Sequence, residues 1–147
     1  MITSLEIQHS EPLVGGALFG ATGAYLKMVG GAKGEIDAGI PGNRGIADIN
    51  MAPRNAAGRV EYKAGIYILR PADPAKGNGR VLYVVVNRGN KQLFQRLADA
   101  ETDTNDFHVV AELGNAFPLQ RGYTIVWSGW DPTAPTADAR LLLTAPV

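Results

Sequence analysis

The sequence predicts a mixed α/β fold that is rich in β-structure, in which mainly antiparallel strands and hairpins lead into a strand-helix-strand unit. The run 81–86 holds five aliphatic residues and one tyrosine, a pattern typical of a strand that is covered on both faces. A turn-forming Asn-Arg-Gly-Asn follows at 87–90, and apolar residues at helical spacing follow over 91–99. Glycine accounts for 18 of the 147 residues, which indicates many tight turns between short elements.

The composition argues against several classes of partner. Fourteen basic and fourteen acidic residues leave a formal net charge of +0, so the chain lacks the electrostatic footprint of a protein that binds nucleic acid or anionic membranes. The absence of cysteine excludes disulfides, thiolate zinc sites and cysteine nucleophiles. No apolar run approaches the roughly 18 residues of a membrane span, and residues 1–7 lack the pattern of a signal peptide. We therefore expect a cytoplasmic location, no nucleic-acid or membrane partner, no cofactor and no metal.

The first half of the chain is predicted to consist of strands and turns. Gly30-Gly31 between two short apolar runs is a hairpin signal, and Gly65 predicts a bend within a longer strand. The glycines of 15–23 do not match the spacing G-x-G-x-x-G, so a dinucleotide site is not predicted there. The predicted strands of this half are 3–8, 25–29, 34–37, 46–51 and 59–70.

The second half is predicted to contain one crossover between two parallel strands. A helix is expected over 91–99, with Asn90 as its N-cap. A weaker helix over 111–121 is interrupted by Pro118. A connection of this length makes the strands that it joins parallel. Those two strands are 81–86 and 123–128.

The chain is expected to be a single domain or the N-terminal fragment of a longer protein, with three parts. The strands and turns form the first part, and the crossover forms the second. The third begins as a linker rich in proline, threonine and alanine and continues into an apolar segment. The parts are a β-rich part over 1–78, a strand-helix-strand unit over 79–130, and a linker with the start of a further strand over 131–147.

Several separated motifs resemble the N-terminal part of the α/β-hydrolase domain-containing protein family, whose members are large serine hydrolases. Together the motifs extend over nearly the whole chain. They are Ala52 to Tyr62, Ile68 to Pro74, Asn87 to Lys91 and Arg121 to Trp130. The resemblance implies an α/β-hydrolase-like sheet that further residues complete, a serine on a nucleophile elbow, and hydrolysis of an ester or a related acyl compound.

The chain departs from that family at the nucleophile, because it contains no G-x-S-x-G motif. Asp106, His108 and Ser128 can be written as a catalytic triad, but nothing in their spacing supports it and we reject it. No catalytic residue is therefore predicted in this chain, and whether it is an enzyme stays open. Its serines and histidines are Ser4, Ser10, Ser128, His9 and His108.

The resemblance does imply one half of an active site. By order along the chain, Asn87, Arg88 and Gly89 correspond to the loop that supplies an oxyanion-hole N–H in α/β-hydrolases. Gly89 has no Cβ, so a substrate carbonyl can approach the backbone closely. The alternative is that this loop is only a helix-entry turn, in which a salt bridge holds Arg88.

Trp127 and Trp130 flank the end of the last predicted strand of the crossover. Their rings would form the wall of a substrate pocket, together with the oxyanion loop. The alternative is that both rings pack in a core.

Residues with side-chain oxygens fall at positions 1, 3, 5 and 12 of an EF-hand loop after the first predicted helix: Glu101, Asp103, Asn105 and Glu112. However, Asp106 stands at position 6, where the loop requires glycine. We interpret the segment as a solvated acidic loop and expect no metal there.

Two functions remain open from the sequence. The first is the N-terminal segment of a serine hydrolase that contributes sheet, oxyanion loop and pocket wall and is inactive alone. The second is a non-catalytic β-rich binding or interaction module, with Trp127 and Trp130 at its contact surface. The expected partners are a small-molecule substrate, the remainder of a longer chain or a second copy in a homo-oligomer.

Overall fold

A computed structural model describes residues 1–146 and shows one sheet that carries most of the chain. Within these residues the sheet has seven strands, which are β1 (Ile2–Pro12), β2 (Leu18–Phe19), β3 (Gly23–Ile36), β4 (Val60–Pro71), β5 (Val81–Val85), β6 (Thr124–Ser128) and β7 (Leu143–Thr144). The α-helices are α1 (Leu93–Leu97) and α2 (Phe117–Gln120). Short 3-10 turns cover Leu13–Gly16, Gly20–Thr22, Pro41–Asn43, Pro74–Lys76 and Val110–Leu113.

The strand order is β1-β3-β4-β6-β5, with β2 paired to β3 and β7 paired to β4. Every pairing is antiparallel except that of β5 with β6. The register of β3 and β4 is unbroken from Tyr25 opposite Pro71 to Ile36 opposite Val60. This long ladder forms the middle of the sheet, and β5 to β7 join it from the later part of the chain.

The predicted fold class is wrong. A βαβ start of an α/β-hydrolase-like sheet needs a helix that packs across the sheet, whereas α1 and α2 have five and four residues and the sheet is mostly antiparallel. The two strands of the predicted crossover are parallel neighbours, as expected, but the segment that connects them is largely irregular and contains only short helices. The sequence prevents a longer helix, because Asp99 and Gly114 have φ of 55° and Pro118 lies at the start of α2.

The predicted hairpin at Gly30-Gly31 is also wrong, because 25–29 and 34–37 belong to the single strand β3. Glycine lies within this strand because neighbouring strands approach it closely. A Cβ at Gly30 would overlap the Glu6 carbonyl oxygen of β1, and a Cβ at Gly34 would overlap the Tyr62 ring. The predicted strand at 46–51 is a series of turns, whereas the strand predicted over 59–70 is confirmed as β4.

The hydrophobic core lies on one face of the sheet, beneath the helices and loops. Its centre is a cluster of four aromatic rings packed mainly edge to face, with Tyr67 and Trp127 5.7 Å apart at 81° and Phe94 and Phe107 5.1 Å apart at 83°. The larger aliphatic and aromatic side chains buried around this cluster are Leu13, Phe19, Tyr25, Leu69, Leu113, Leu119 and Ile125.

The opposite face of the sheet is uncovered, and we call it the open face. Along β5, Leu82 and Val84 pack against the core, whereas Val81, Tyr83 and Val85 are 64%, 57% and 72% exposed. The prediction that 81–86 is covered on both faces is therefore wrong. The apolar and hydroxyl side chains of the open face include Ile2, Leu5, Ile66, Ile68, Val81, Tyr83, Val85, Val126, Ser128 and Trp130.

No helix within residues 1–146 combines the length and the apolar character that crossing a membrane requires.

The close approach of β1 to β3 makes a first prediction. We expect Gly30→Ala to lower the free energy of unfolding by about 2 kcal/mol, because the new methyl group forces the two strands apart. Urea unfolding measures this change. Gly42→Ala is the control, since a Cβ at Gly42 meets nothing within 4 Å, and we expect it to change stability by no more than about 0.5 kcal/mol. Equal stability of the two variants would contradict the close contact.

Candidate functional site

The predicted oxyanion loop is a tight turn. The Asn87 N–H donates to the Asn90 carbonyl at 3.1 Å, and the Asn90 N–H donates to the Asn87 carbonyl at 3.0 Å. Between them, Arg88 and Gly89 have φ of 48° and 86°. Two successive residues at positive φ are characteristic of a type I′ turn, in which glycine is favoured.

The turn keeps two backbone donors free but does not open Gly89 to solvent. Neither the Arg88 N–H nor the Gly89 N–H has an acceptor within residues 1–146. A Cβ at Gly89 would lie 2.8 Å from the Arg140 Cβ and 2.9 Å from the Leu141 carbonyl oxygen. The Gly89 carbonyl accepts a hydrogen bond from the Leu141 N–H at 3.1 Å. The missing side chain therefore makes room for the segment 140–141 on that side.

Arg88 makes a salt bridge, as expected if the loop is only a helix-entry turn. Its Nε lies 3.2 Å from Asp131 Oδ2, and its Nη2 donates to the Thr133 carbonyl at 3.3 Å. Hydrogen bonds from the Thr133 side chain and backbone, together with the Arg88 charge, lower the pKa of Asp131 below its usual range. Arg88 thus connects the turn to the segment that follows β6.

The two tryptophans lie in different environments. Trp127 is fully buried on the core face, between Tyr67, Phe94 and Phe107. Trp130 is 52% exposed at the rim of the open face, and its Nε1 donates to the Val86 carbonyl at 2.6 Å. The structure therefore does not bring these two rings together in one pocket wall.

The structure does not bring the three residues of the rejected triad together. Asp106 and His108 do pair, with Oδ2 3.2 Å from Nε2. However, the Ser128 hydroxyl pairs with the Tyr83 hydroxyl on the open face, whereas Asp106 binds the Tyr67 hydroxyl on the core face. The sheet lies between the serine and the histidine, so His108 does not act as a base for Ser128.

A charge cluster that the sequence did not predict lies on the core face, around a buried lysine whose two carboxylate partners are partly exposed. Lys27 is 3% exposed, and its Nζ lies 2.6 Å from Glu11 Oε1 and 2.8 Å from Asp106 Oδ1. The Tyr67 hydroxyl donates to the same Asp106 oxygen at 2.9 Å. Burial alone would raise the pKa of Asp106, but the hydrogen bonds from Lys27 and Tyr67 outweigh it and hold that pKa below its usual range.

The sequence did contain a signal for this cluster. In β3, Lys27 alternates with Tyr25 and Val29, which both face the core, so its side chain must enter the core as well. A buried lysine needs hydrogen-bond acceptors, and a carboxylate also balances its charge. Asp106 is 79 residues away along the chain, and for that reason the spacing alone could not identify it.

Lys91 is a second buried lysine, and it holds two loops together. Lys91 is 1% exposed, and its Nζ donates to the Asn105 carbonyl at 2.5 Å and to the Ala139 carbonyl at 2.8 Å. The same Nζ lies 4.5 Å from the centre of the Tyr67 ring. Burial lowers the pKa of Lys91 to about 8. Because its donors are engaged by carbonyls, this ammonium has a structural role.

The acidic loop does not assemble a metal site. The Glu112 carboxylate accepts hydrogen bonds from the backbone of His108 and Val109, at 2.6 and 3.0 Å, and so caps the following turn. The Asn105 side chain accepts a hydrogen bond from the Lys91 N–H at 2.8 Å. Within residues 1–146, no group of three or more histidine, aspartate or glutamate side chains is arranged to hold a metal ion.

The open face contains an apolar groove of about 510 Å³. Its floor is formed by small and aliphatic residues of the three central strands, which are Ala32, Ala64, Ile66, Ile68 and Val126. Its rim is formed by Ile2 and Leu5 on the β1 side and by Tyr83 and Trp130 on the β5 side. The Tyr83 and Ser128 hydroxyls are the polar side-chain groups at the β5 end. Among residues 1–146, no charged side chain lines the groove.

Comparisons with protein-family models, with curated protein sequences and with solved structures find no match to this chain. The family resemblance therefore stays a prediction, and so do the roles that it implies for Asn87, Arg88, Gly89, Trp127 and Trp130.

The charge cluster around Lys27 leads to a second prediction. We expect Asp106→Asn to lower the free energy of unfolding by about 2 kcal/mol at neutral pH, because Lys27 stays buried and loses one of its two carboxylates. The contribution of Asp106 is fully present above its unfolded-state pKa of about 3.9 and is lost as the pH falls through its lower folded-state pKa. The difference between the two proteins should therefore shrink in acid.

Urea unfolding at about pH 7 and at about pH 3 measures both effects. Asp103→Asn is the matched control, because Asp103 lies exposed on the same loop and binds only the Gln92 side chain, at 3.2 Å. We expect the control to leave stability nearly unchanged at either pH. A stability difference for Asp106→Asn that does not depend on pH would show that its charge is not the cause.

Proposed function

We propose that this chain is a non-catalytic binding module whose open face binds an apolar surface of another polypeptide. The observation that carries the proposal is the groove, whose lining is apolar and uncharged and whose rim side chains project into solvent. Uncovered apolar faces of this kind mark interaction sites in folded proteins. Tyr83 and Trp130 at the rim are residue types that dominate binding energies at protein interfaces.

The shape of the open face favours a polypeptide over a small molecule. The groove is only partly enclosed, and the rim side chains Ile2, Leu5, Tyr83 and Trp130 are each more than half exposed. Small-molecule sites instead enclose most of their ligand in a concave pocket. Covering a half-exposed aliphatic or aromatic side chain gains about 1 kcal/mol or more, so the four rim residues together contribute several kcal/mol to binding.

The arrangement of the polar side chains supports a role without catalysis. Ser128 pairs with Tyr83 rather than with a histidine, and the Asp106–His108 pair lies on the other side of the sheet. The charges of Lys27 and Lys91 are engaged in the core. These groups stabilise the fold that presents the open face.

A third prediction tests the groove. We expect the apolar dye bis-ANS to bind the folded protein and Leu5→Glu to reduce the dye fluorescence several-fold, because it places a charge on the apolar rim. Leu97→Glu is the matched control, since Leu97 on α1 is 57% exposed and Leu5 is 56% exposed. Equal dye binding by the two variants would contradict binding in the groove.

A synthetic amphipathic peptide of leucine and serine tests the polypeptide part of the proposal. It should displace the dye from the wild-type protein, since its apolar side would cover the same groove. Dye that binds but is not displaced would point to a small apolar ligand instead. Circular dichroism of both variants verifies that each one is folded.

The sequence resemblance supports a second proposal, in which the chain is the N-terminal segment of a serine hydrolase that acts on an ester or related acyl compound. The free N–H groups of Arg88 and Gly89 favour it, because an oxyanion hole uses backbone donors of this kind. The segment would contribute sheet, loop and pocket wall and would be inactive alone. A cytoplasmic location belongs to the same proposal, and fractionation of cells that express the chain tests it.

A fourth prediction tests whether the chain acts as a hydrolase by itself. A fluorophosphonate probe should not label these 147 residues, because the Ser128 hydroxyl faces Tyr83 and lacks a base. Gel fluorescence after incubation with the probe measures the labelling. Ser128→Ala is the control for any background signal. Labelling that disappears in this variant would mean that Ser128 is an active nucleophile.

A further inference from the structure

We propose that two copies of this chain associate through the free edge of β5, with the two β5 strands antiparallel and centred on Tyr83. This inference goes beyond the proposed function, because it concerns the backbone edge of the sheet rather than the groove. It identifies a specific partner, a second copy of the chain, and a specific arrangement.

The β5 edge lacks the features that prevent strand pairing. On one side β5 pairs with β6, and on its other side no strand pairs with it within residues 1–146. Its five residues, Val81–Val85, include no charge and no proline, and its register with β6 is regular. An unpaired edge with a regular register and without charge or proline is a template for another strand.

The opposite edge of the sheet shows what a protected edge looks like in the same molecule. Strand β1 carries Glu6, His9 and Glu11, ends at Pro12 and has two irregularities in its register with β3. Charges, proline and bulges are the usual means by which an edge strand avoids pairing. The contrast between the two edges points to β5 as the edge that associates.

The β5 sequence is complementary to itself in the antiparallel direction. Centring the pair on Tyr83 places the two Tyr83 residues opposite each other and Val81 of each copy opposite Val85 of the other. Aromatic pairs and pairs of β-branched residues stabilise neighbouring strands. Because β5 carries no charge, a charged partner strand would form no ion pairs with it, whereas the β5 strand of a second copy offers apolar side chains at every paired position.

The charges that flank β5 do not oppose this arrangement. In the same register, Arg80 of one copy lies opposite Val86 of the other, and Arg88 lies opposite Asn78. No two like charges therefore face each other across the pair. A twofold axis through the Tyr83 pair makes the contact identical for both copies, as in most homodimers.

The association should be weak and reversible. Five paired residues on each copy, with the exposed sides of Val81, Tyr83 and Val85, form a contact at the low end of the size range for specific interfaces. We therefore expect a monomer–dimer equilibrium with a dissociation constant in the micromolar range.

Analytical ultracentrifugation between about 1 and about 100 µM tests the proposal. The wild-type protein should shift from monomer to dimer over this range. In V81K/V85K the introduced lysines face each other across the pair, so its dimer should be at least about tenfold weaker. In V81K/V85E each lysine faces a glutamate of the other copy, so its dimer should persist and should weaken as salt is added.

Three results would overturn the proposal. A wild-type protein that stays monomeric at about 100 µM has no such dimer. A V81K/V85K dimer as strong as the wild type means that another surface associates. A V81K/V85E dimer as weak as that of V81K/V85K means that the strands are not antiparallel in this register.

The two substituted positions also separate this proposal from the proposed function. Val81 and Val85 are exposed and do not line the groove, so V81K/V85K should still bind bis-ANS if the groove is a binding site. Loss of the dimer with dye binding retained is the result that we expect. A dimer without dye binding would support the edge contact and contradict the groove.

Discussion

The unbroken pairing of β3 with β4 determines which side chains face the core and which remain exposed. Side chains alternate between the two faces of a strand, so a one-residue slip of β4 against β3 would move Tyr67 to the open face and bring Ile68 into the core. The ladder also positions its neighbours, because β1 pairs with β3 and β6 pairs with β4. The same β3–β4 register therefore determines both the aromatic core on one face and the groove on the other.

Elements that depend on residues close together in the sequence could be predicted, whereas features that depend on contacts between distant residues could not. Strand β4 was visible as a local pattern that Pro71 ends, and β5 and β6 were correctly expected to be parallel. The hairpin at Gly30-Gly31 was wrong, because these glycines accommodate close strands rather than a turn. That distinction depends on Glu6 and Tyr62, which lie in other strands, and a local pattern cannot show it.

Much less of the candidate site was predictable. The turn at Asn87–Asn90 was expected, but its closure by the segment 140–141 depends on a contact about 50 residues away in the sequence. An uninterrupted apolar run at 81–86 looked like a fully covered strand, whereas the structure covers one side of it. Burial of Trp127 and exposure of Trp130 follow from the direction of β6 and from the end of that strand, which composition does not specify.

The position of β6 between β4 and β5 has a consequence for synthesis. Strand β5 pairs with β6, but the ribosome makes β5 about 40 residues before β6. The apolar strand β5 is therefore synthesised before its pairing partner exists, and both of its edges are unpaired until then. During this interval the nascent chain exposes an uncharged, apolar strand, which is the kind of segment that chaperones bind and that promotes aggregation. The pace of translation between residues 86 and 123 therefore sets how long a newly made chain carries this exposed strand.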